Sequence, residues 1–264
     1  MTEILLTSPP RAVSAAKHTQ LTVLTVNTHK GFAFMSSRFV LHELREAVRA
    51  VGADVVFLQE VQGEHSGHSA SVSAWPDAPH YEFMADALWP EFAYGRNAVY
   101  PSGHHGNAVL SKYPIVAHRN RDVSIDGHEA RGLLHCELLV PGHQARVHAI
   151  CVHLGLKEAH RTRQLALLCE TVHNEVPADA PMLVAGDFND WRDRAHRVLA
   201  GCGLREVFVE SQGRAAKTFP ARFPMLRLDR IYVRNTRSQL PLSLPRRPWS
   251  QLSDHAPLAA EIVL

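Results

Sequence analysis

The chain has 264 residues, 45% of them hydrophobic and 20% charged, with 28 basic against 26 acidic side chains. This is the composition of an ordinary globular protein, long enough to bury a sizeable core as one large domain or two small ones. A formal net charge of +2 gives no reason to expect a polyanion binder from total charge, and no apolar run is long enough to span a membrane as a helix. The 18 histidines raise the expectation of metal or phosphate chemistry, although scattered histidines are often plain surface residues.

The N-terminus, residues 1–20, carries Pro9-Pro10 and small polar residues and lacks a charged-then-apolar leader pattern. It is expected to be a mobile lead-in, and a cytoplasmic location follows as the default. Leu21–Val26 alternates Thr with aliphatics, reads as a strand, and ends at Asn27, which by itself could be a turn cap. From Phe39 to Val51, apolar residues recur at helical spacing and Gly52 supplies the stop. Asp54–Val61 is a nearly continuous apolar run, hence a buried strand, with Glu60 at its far end. A carboxylate is rarely buried without a partner or a metal.

Gln62–Gly103 is rich in Gly, Ser, Pro, His and aromatics and is expected to form long irregular loops. His65-x-x-His68 and His104-His105 could bind a transition metal, but without nearby Cys or acidic ligands they read more simply as loop histidines. Asn107 stands at the entrance of a short strand, 106–111, and another loop follows. Arg131–Val140 and Ala145–Val152 form the two arms of a hairpin, the second running out at His153. A helix is predicted over Glu158–Val172. Pro181–Ala185 is then a short buried strand, stopping at Gly186-Asp187-Phe188-Asn189.

That stretch would pass for a turn on its own. In strand-like geometry, however, Asp187 and Asn189 point the same way, so a carboxylate and a carboxamide emerge together where a buried strand ends. A helix over Arg192–Ala200, a strand over Leu204–Val209, a basic loop over Arg214–Arg227 and a strand over Leu228–Val233 follow. A Pro-rich loop, Gln239–Trp249, comes next, then Ser253-Asp254-His255 before the terminal strand. No repeat, low-complexity tract or linker divides the chain, so residues 21–264 read as one domain. Cys136, Cys151, Cys169 and Cys202 are widely spaced, and buried reduced thiols are expected.

Asn27, Glu60, His153, Asp187, Asn189, Asp229, Asp254 and His255 all fall at strand ends. They are oxygen and imidazole groups with no thiolate among them. Oxygen ligands with one or two acids suit Mg²⁺ or Mn²⁺, and histidines beside an Asp supply a base and donors for phosphoester hydrolysis. Phosphate-loop, HExxH and GxSxG patterns are absent.

In Thr25-Val26-Asn27, Leu58-Gln59-Glu60-Val61, His153-Leu154, Gly186-Asp187-Phe188-Asn189, Leu228-Asp229-Arg230-Ile231 and Ser253-Asp254-His255, taken in that order, the chain resembles the endonuclease/exonuclease/phosphatase (DNase I-like) family. The resemblance runs from about Leu21 to Leu264. It implies a four-layer αββα sandwich: two mainly antiparallel sheets packed face to face, with helices outside. By motif it implies Glu60 as the principal Mg²⁺ ligand, helped by Asn27 and Asp254. Asp187 resembles the residue that orients or deprotonates the attacking water, Asn189 the donor to the phosphate, and His255 the acid or phosphorane-stabilising histidine oriented by Asp229. His153 resembles a second phosphate-facing histidine. Where abasic endonucleases often carry tyrosine this chain has histidine, which weakens a DNA-repair reading. Asn107 and Arg131 complete the expected substrate-binding set.

The expected function is Mg²⁺-dependent phosphodiester hydrolysis by a monomer. Nucleic acid is the first substrate reading, with Arg192, Arg194, Arg214, Lys217, Arg222, Arg227, Arg246 and Arg247 available for backbone phosphates. A phospholipid- or sphingomyelin-like phosphoester is the second, and the aromatic loops from Trp75 to Tyr100 are compatible with it. A catalytically silent phosphate-binding or interaction protein is the third.

Overall fold

The computed structural model describes residues 19–264 apart from 87, 126 and 128, so the expected lead-in lies almost wholly outside the described residues. Two six-stranded sheets lie face to face. In spatial order, the first contains β11 (Ser238–Leu242), β12 (Leu258–Val263), β1 (Gln20–Asn27), β2 (Val55–His65), β4 (Gly103–Ser111) and β3 (Glu91–Tyr100). The second contains β5 (Ile115–Asp122), β6 (Gly132–Leu138), β7 (Val147–His153), β8 (Met182–Asp187), β10 (Asp229–Arg234) and β9 (Arg205–Glu206).

Side chains on each strand alternate between two layers. From β1, Leu21 and Val23 enter the core between the sheets, while Leu24 and Val26 face outward. On β8, Leu183 and Ala185 point inward, and Met182 and Val184 outward. Helices α1 (Leu41–Val51) and α3 (His80–Ala85) cover the outer face of the first sheet. Helices α4 (Glu158–Glu175) and α5 (Ala195–Ala200) cover that of the second. In α1, Leu41, Leu44 and Val48 are wholly buried, each stabilising by about 1.5–3 kcal/mol, and Gly52 ends the helix in the left-handed region at φ 68°. Among the described residues no helix is long and apolar enough to cross a membrane.

Each sheet is antiparallel except for one central pair. β1 and β2 run parallel, joined through α1, and β7 and β8 run parallel, joined through α4. A parallel neighbour needs such a crossover, and the crossover brings the carboxyl ends of both strands to the same edge. Asn27 thereby pairs with Gln59, and His153 with Asp187, at one rim of the sandwich.

Four expectations are corrected. The stretch 62–103 is not irregular loop: it holds the end of β2, helix α2 (Ser66–Ser71), α3 and β3. β5 likewise occupies what read as loop. β3 and β5 are edge strands with much of their length in water, so neither shows apolar alternation. The stretch 204–209 is a two-residue strand, β9, followed by helix α6 (Val207–Gln212), which Gly213 ends at φ 73°. The Pro-rich stretch begins as β11, where Pro241 is accommodated because the strand lies at the sheet edge.

The thiol expectation also divides. Cys136 and Cys151 are buried and free, but Cys169 on α4 and Cys202 beyond α5 form a disulfide with Cα atoms 5.9 Å apart. A separation of 33 residues along the chain conceals that α4 and α5 pack together.

Gly186, next to the site, has φ 147°, and a Cβ there would lie 2.0 Å from the Val152 carbonyl oxygen of the parallel neighbour. All the nearest atoms are Val152 backbone, which cannot swing aside as a flexible side-chain tip would. Gly186→Ala is expected to cost about 3 kcal/mol. Urea unfolding checks this, and an unchanged midpoint would show that the β7–β8 spacing is not fixed by this residue.

Candidate active site

The polar residues gather where the two parallel pairs end. On β8 the inward face continues Leu183, Ala185, Asp187, so the strand periodicity carries the Asp187 carboxylate into the gap between the sheets. Its neighbours in the second sheet are His153 on β7 and Asp229 on β10, each directly in register with it. The first sheet contributes Asn27 and Glu60. β2 bulges between Leu58 and Val61, and Glu60 sits in the bulge with φ 53°. The extra residue turns the Glu60 carboxylate toward Asn27 instead of into the outer apolar layer.

One Asp187 oxygen accepts the Asn189 backbone N–H at 2.9 Å. The other faces three nitrogens: Asn27 Nδ2 at 3.3 Å, His153 Nε2 at 3.5 Å and His255 Nε2 at 3.8 Å. These separations are longer than firm hydrogen bonds, so this oxygen remains available to a further group. Across the ring of His255, Nδ1 lies 2.8 Å from Asp229 Oδ2, with both residues buried. Burial works against charge on His255, but the carboxylates of Asp229 and Asp187 together outweigh it and push its pKa up to about 10. Asp187 is pushed up to about 7, above all by burial, with His255 pulling the other way. His153 is held well below the usual histidine range by burial, then by the charges of Arg131 and His255. The site thus pairs a charged histidine with a neutral one around a single carboxylate.

The remaining expected residues are placed as follows. Asn189 is not on the strand. It sits at φ 50° beyond the end of β8, and its carboxamide donates to the Leu154 carbonyl at 2.9 Å, so strand alternation does not set its direction as expected. Arg131 also donates to the Leu154 carbonyl, at 3.2 Å. Asn107 lies within β4, fully buried, with Nδ2 donating to Gly132 C=O at 3.0 Å and its Oδ1 unpartnered. Asp254 has its carboxylate 4.0 Å from His29 Nε2. Ser253, quoted in the motif but given no role, pins this segment: its hydroxyl donates to Asn27 C=O at 2.6 Å and accepts the His255 N–H at 3.3 Å.

Two further residues join the site: His105, which the sequence suggested only as a loop histidine, and Lys30, which it did not single out. His105 lies two positions before Asn107 on β4 and therefore on the same inner face. Its pKa is lowered to about 4 by burial, then by Lys30 and Arg131, and its Nδ1 is buried without a partner. The period-two rule could have found it. Lys30, in the turn after β1, acts on both His105 and His153. Here the signal is weak, because its position depends on a backbone at φ 55°. With His29 at 46°, four non-glycine residues of this rim occupy the left-handed region. Such strain clusters where a site needs it.

A divalent cation fits the donors present. Glu60 has Asn27 Nδ2 at 3.4 Å, and Asp254 has the Ser253 hydroxyl at 3.3 Å with His29 Nε2 4.0 Å away, so neither carboxylate has a close cationic partner. The Asn27 carboxamide oxygen accepts the His29 N–H at 3.0 Å and keeps a second lone pair. An all-oxygen set suits a hard ion. Ligand atoms of Asp187, Asp229 and His255 also lie within 4.8 Å of one another. That group is the poorer cradle, since His255 holds a proton at neutral pH and a metal requires the free imidazole.

Two face-to-face sheets with outer helices, with the polar cluster at one rim, define the DNase I-like class of sandwich. Residues 24–255 match the model of the Endonuclease/Exonuclease/phosphatase family, and the chain belongs to that family. The family is hydrolytic, of phosphoesterase type, and divalent-metal dependent. The chain is 59% identical over 243 residues to the Escherichia coli (strain K12) protein described as uncharacterized protein YbhP, covering 92% of this chain and 96% of that one. Its fold is similar to that of an endonuclease/exonuclease/phosphatase from Beutenbergia cavernae (TM-score 0.76, 20% identity, 93% of this chain and 72% of that one). A family protein from Bacteroides thetaiotaomicron (0.68, 18%, 94% and 99%) and truncated Caenorhabditis elegans TDP2 (0.65, 17%, 93% and 98%) share it as well.

The His255–Asp229 pair makes a direct prediction for metal-free protein. The His255 imidazole is expected to titrate near 10, and in Asp229→Asn to fall by about two pH units or more. Long-range ¹H–¹⁵N spectra of the ring nitrogens report this. A His255 titration unaffected by the substitution would contradict the pair.

Proposed function

We propose that this protein is a divalent-metal-dependent phosphodiesterase, residues 21–264 forming one catalytic domain, and that Asp187 is its water-orienting group. The observation that carries the reading is the Asp187 carboxylate: one oxygen fixed by the Asn189 N–H, the other open toward His153, His255 and Asn27. A carboxylate raised to about 7 is poised to accept a proton from water near neutral pH.

In this reading Glu60, Asn27 and Asp254 would hold Mg²⁺, with Mn²⁺ the alternative. The ion would neutralise phosphate charge as a Lewis acid. Asp187 takes the proton of the attacking water. His255, kept protonated by Asp229, gives a proton to the leaving oxygen or stabilises charge on the phosphorane. His153, neutral, directs an N–H at a phosphate oxygen. Asn189 gives one amide hydrogen to Leu154 and keeps the second for the phosphate. Arg131 adds positive charge, and Asn107 keeps the β4 side of the site in place by holding β6.

Nucleic acid is one candidate carrier of the phosphodiester, though the arginines expected to follow a phosphate backbone are partly committed. Arg192 and Arg194 both pair with Glu158, and Arg227 donates to the Ala215 carbonyl. A phospholipid-like diester is the other, favoured by apolar side chains at the mouth of the site. The proposal keeps a cytoplasmic location, against which stands the Cys169–Cys202 disulfide, a bond that oxidising compartments maintain.

The test is hydrolysis of bis-p-nitrophenyl phosphate, plasmid DNA and phospholipids with Mg²⁺ and with a chelator. Asp187→Ala is expected to lower turnover about 1,000-fold or more while leaving the fold intact, and chelation to abolish turnover until Mg²⁺ is restored. Turnover that survives both treatments would overturn the proposal.

A further inference from the structure

Large apolar side chains left in water gather beside the site. Met35, at the tip of a turn closed by Ala33 N–H to Arg38 C=O (3.0 Å), is 88% exposed. The loop 219–226, closed by Leu226 N–H to Phe219 C=O (2.8 Å), holds Phe223 and Met225 each 64% exposed. The two loops meet, with the Phe34 ring edge-on to Phe219 at 6.2 Å, and the Phe219 ring lies 5.1 Å from that of His255. Phe219 thus links the loop that carries Met35 to His255, and belongs to the same loop as Phe223 and Met225.

Cations flank those tips. A cavity of about 300 Å³ beside Phe223 is lined by Arg222, Arg246 and Arg247 with Ser250 and Gln251. The Arg246 guanidinium lies 5.0 Å above the Phe223 ring and donates to the Arg222 carbonyl. Among the described residues none of the three has a carboxylate partner, in contrast to Arg192 and Arg194 across the mouth.

An apolar patch of this kind at a monomer's surface marks a contact site, and its chemistry narrows the partner. A single nucleic-acid strand is gripped by stacking on successive aromatic faces, and of the three tips only Phe223, already beneath the Arg246 guanidinium, has one. An anionic bilayer has what this face matches: phosphates at the level of unpaired guanidiniums, and acyl chains just beneath for long apolar tips. In the stretch from Trp75 to Tyr100 the exposed apolar side chains, Val99 and Phe92, lie on edge strand β3, and two of its aromatics are engaged within the fold. Trp75 stacks on Phe39 at 5.1 Å, and the Tyr100 hydroxyl accepts from Gln62 at 2.7 Å.

We propose that the 33–38 turn and the 219–226 loop dock this protein on an anionic phospholipid surface. Met35, Phe223 and Met225 enter the acyl boundary, Arg222 and Arg247 lie on headgroup phosphates, and the site opens onto membrane phosphodiesters. The docking stands on the surface alone. Its consequence for substrate rests on the phosphodiesterase reading above.

Flotation of the full chain with phosphatidylglycerol or phosphatidylcholine vesicles, with chelator present, tests the docking. Wild type is expected to float with phosphatidylglycerol. Phe223→Asp with Met225→Asp should weaken partitioning about 100-fold, two buried side chains at roughly tenfold each. Arg222→Glu with Arg247→Glu should remove the preference for phosphatidylglycerol. The Phe223→Asp, Met225→Asp variant should hydrolyse bis-p-nitrophenyl phosphate at the wild-type rate. Wild type that stays with the protein fraction, or variants that float like wild type, would overturn the docking. So would loss of plasmid binding in the apolar variant without any loss of vesicle binding. Flotation together with no turnover of bis-p-nitrophenyl phosphate by wild type would uphold the docking and sink the phosphodiesterase reading.

Discussion

A carboxylate buried between two sheets governs this molecule. Asp187 is 1% exposed, and an ionised group in such a place is costly unless its surroundings compensate. Compensation comes from both sheets at once: His153 from the second sheet, and from the first Asn27 and His255, which stands just before β12 and is held by Asp229. The arrangement works only if four strand ends meet, which the two crossover-linked parallel pairs bring about. The β7–β8 spacing in turn admits only a glycine at 186. Packing of the sandwich and electrostatics of the site are thus one problem with one solution.

The same burial divides the histidines into two kinds. Imidazoles facing Lys30 and Arg131, namely His105 and His153, are driven neutral. His255, facing two carboxylates, stays charged although it is buried as deeply as His153. A single dielectric environment therefore yields a donor that is neutral and a donor that carries a proton, a few ångströms apart. Separating acid from base by environment instead of residue type is what hydrolysis near neutral pH demands.

Legibility in the sequence followed the same physics. Strands buried on both faces announced themselves as apolar runs with a polar last residue, so β1, β2, β7, β8 and β10 and the residues at or beside their ends could be read. Edge strands could not: β3 and β5 lie half in water and carry no alternation, and β11 hides behind a proline. At the site, residues placed by strand period were recoverable, His105 included. For those set by backbone at positive φ, the motifs named Glu60 and Asn189 but not their direction, and Lys30 was missed. Glu60, Lys30 and Asn189 owe their direction to a bulge or a left-handed turn, and no pattern of residue types states which way such a turn aims a side chain. The disulfide was hidden for the related reason that helix packing, not spacing, brings Cys169 to Cys202.

What surrounds the site differs in kind from what builds it. Most cations near the mouth are committed: Arg230 is buried against Asp193 and the Asp190 carbonyl, and Arg161 holds the carbonyls of Gly155 and Leu156 beneath Trp191. These clamps fix the loops that carry Asp187 and His153, and they have no freedom to greet a ligand. Arg222 and Arg247 stand outside that frame, next to apolar tips that water does not stabilise. A surface that keeps unpaired guanidiniums and exposed methionines together gains from neither in solution. The bilayer boundary proposed above, where anionic and apolar layers lie side by side, would supply a complement to both.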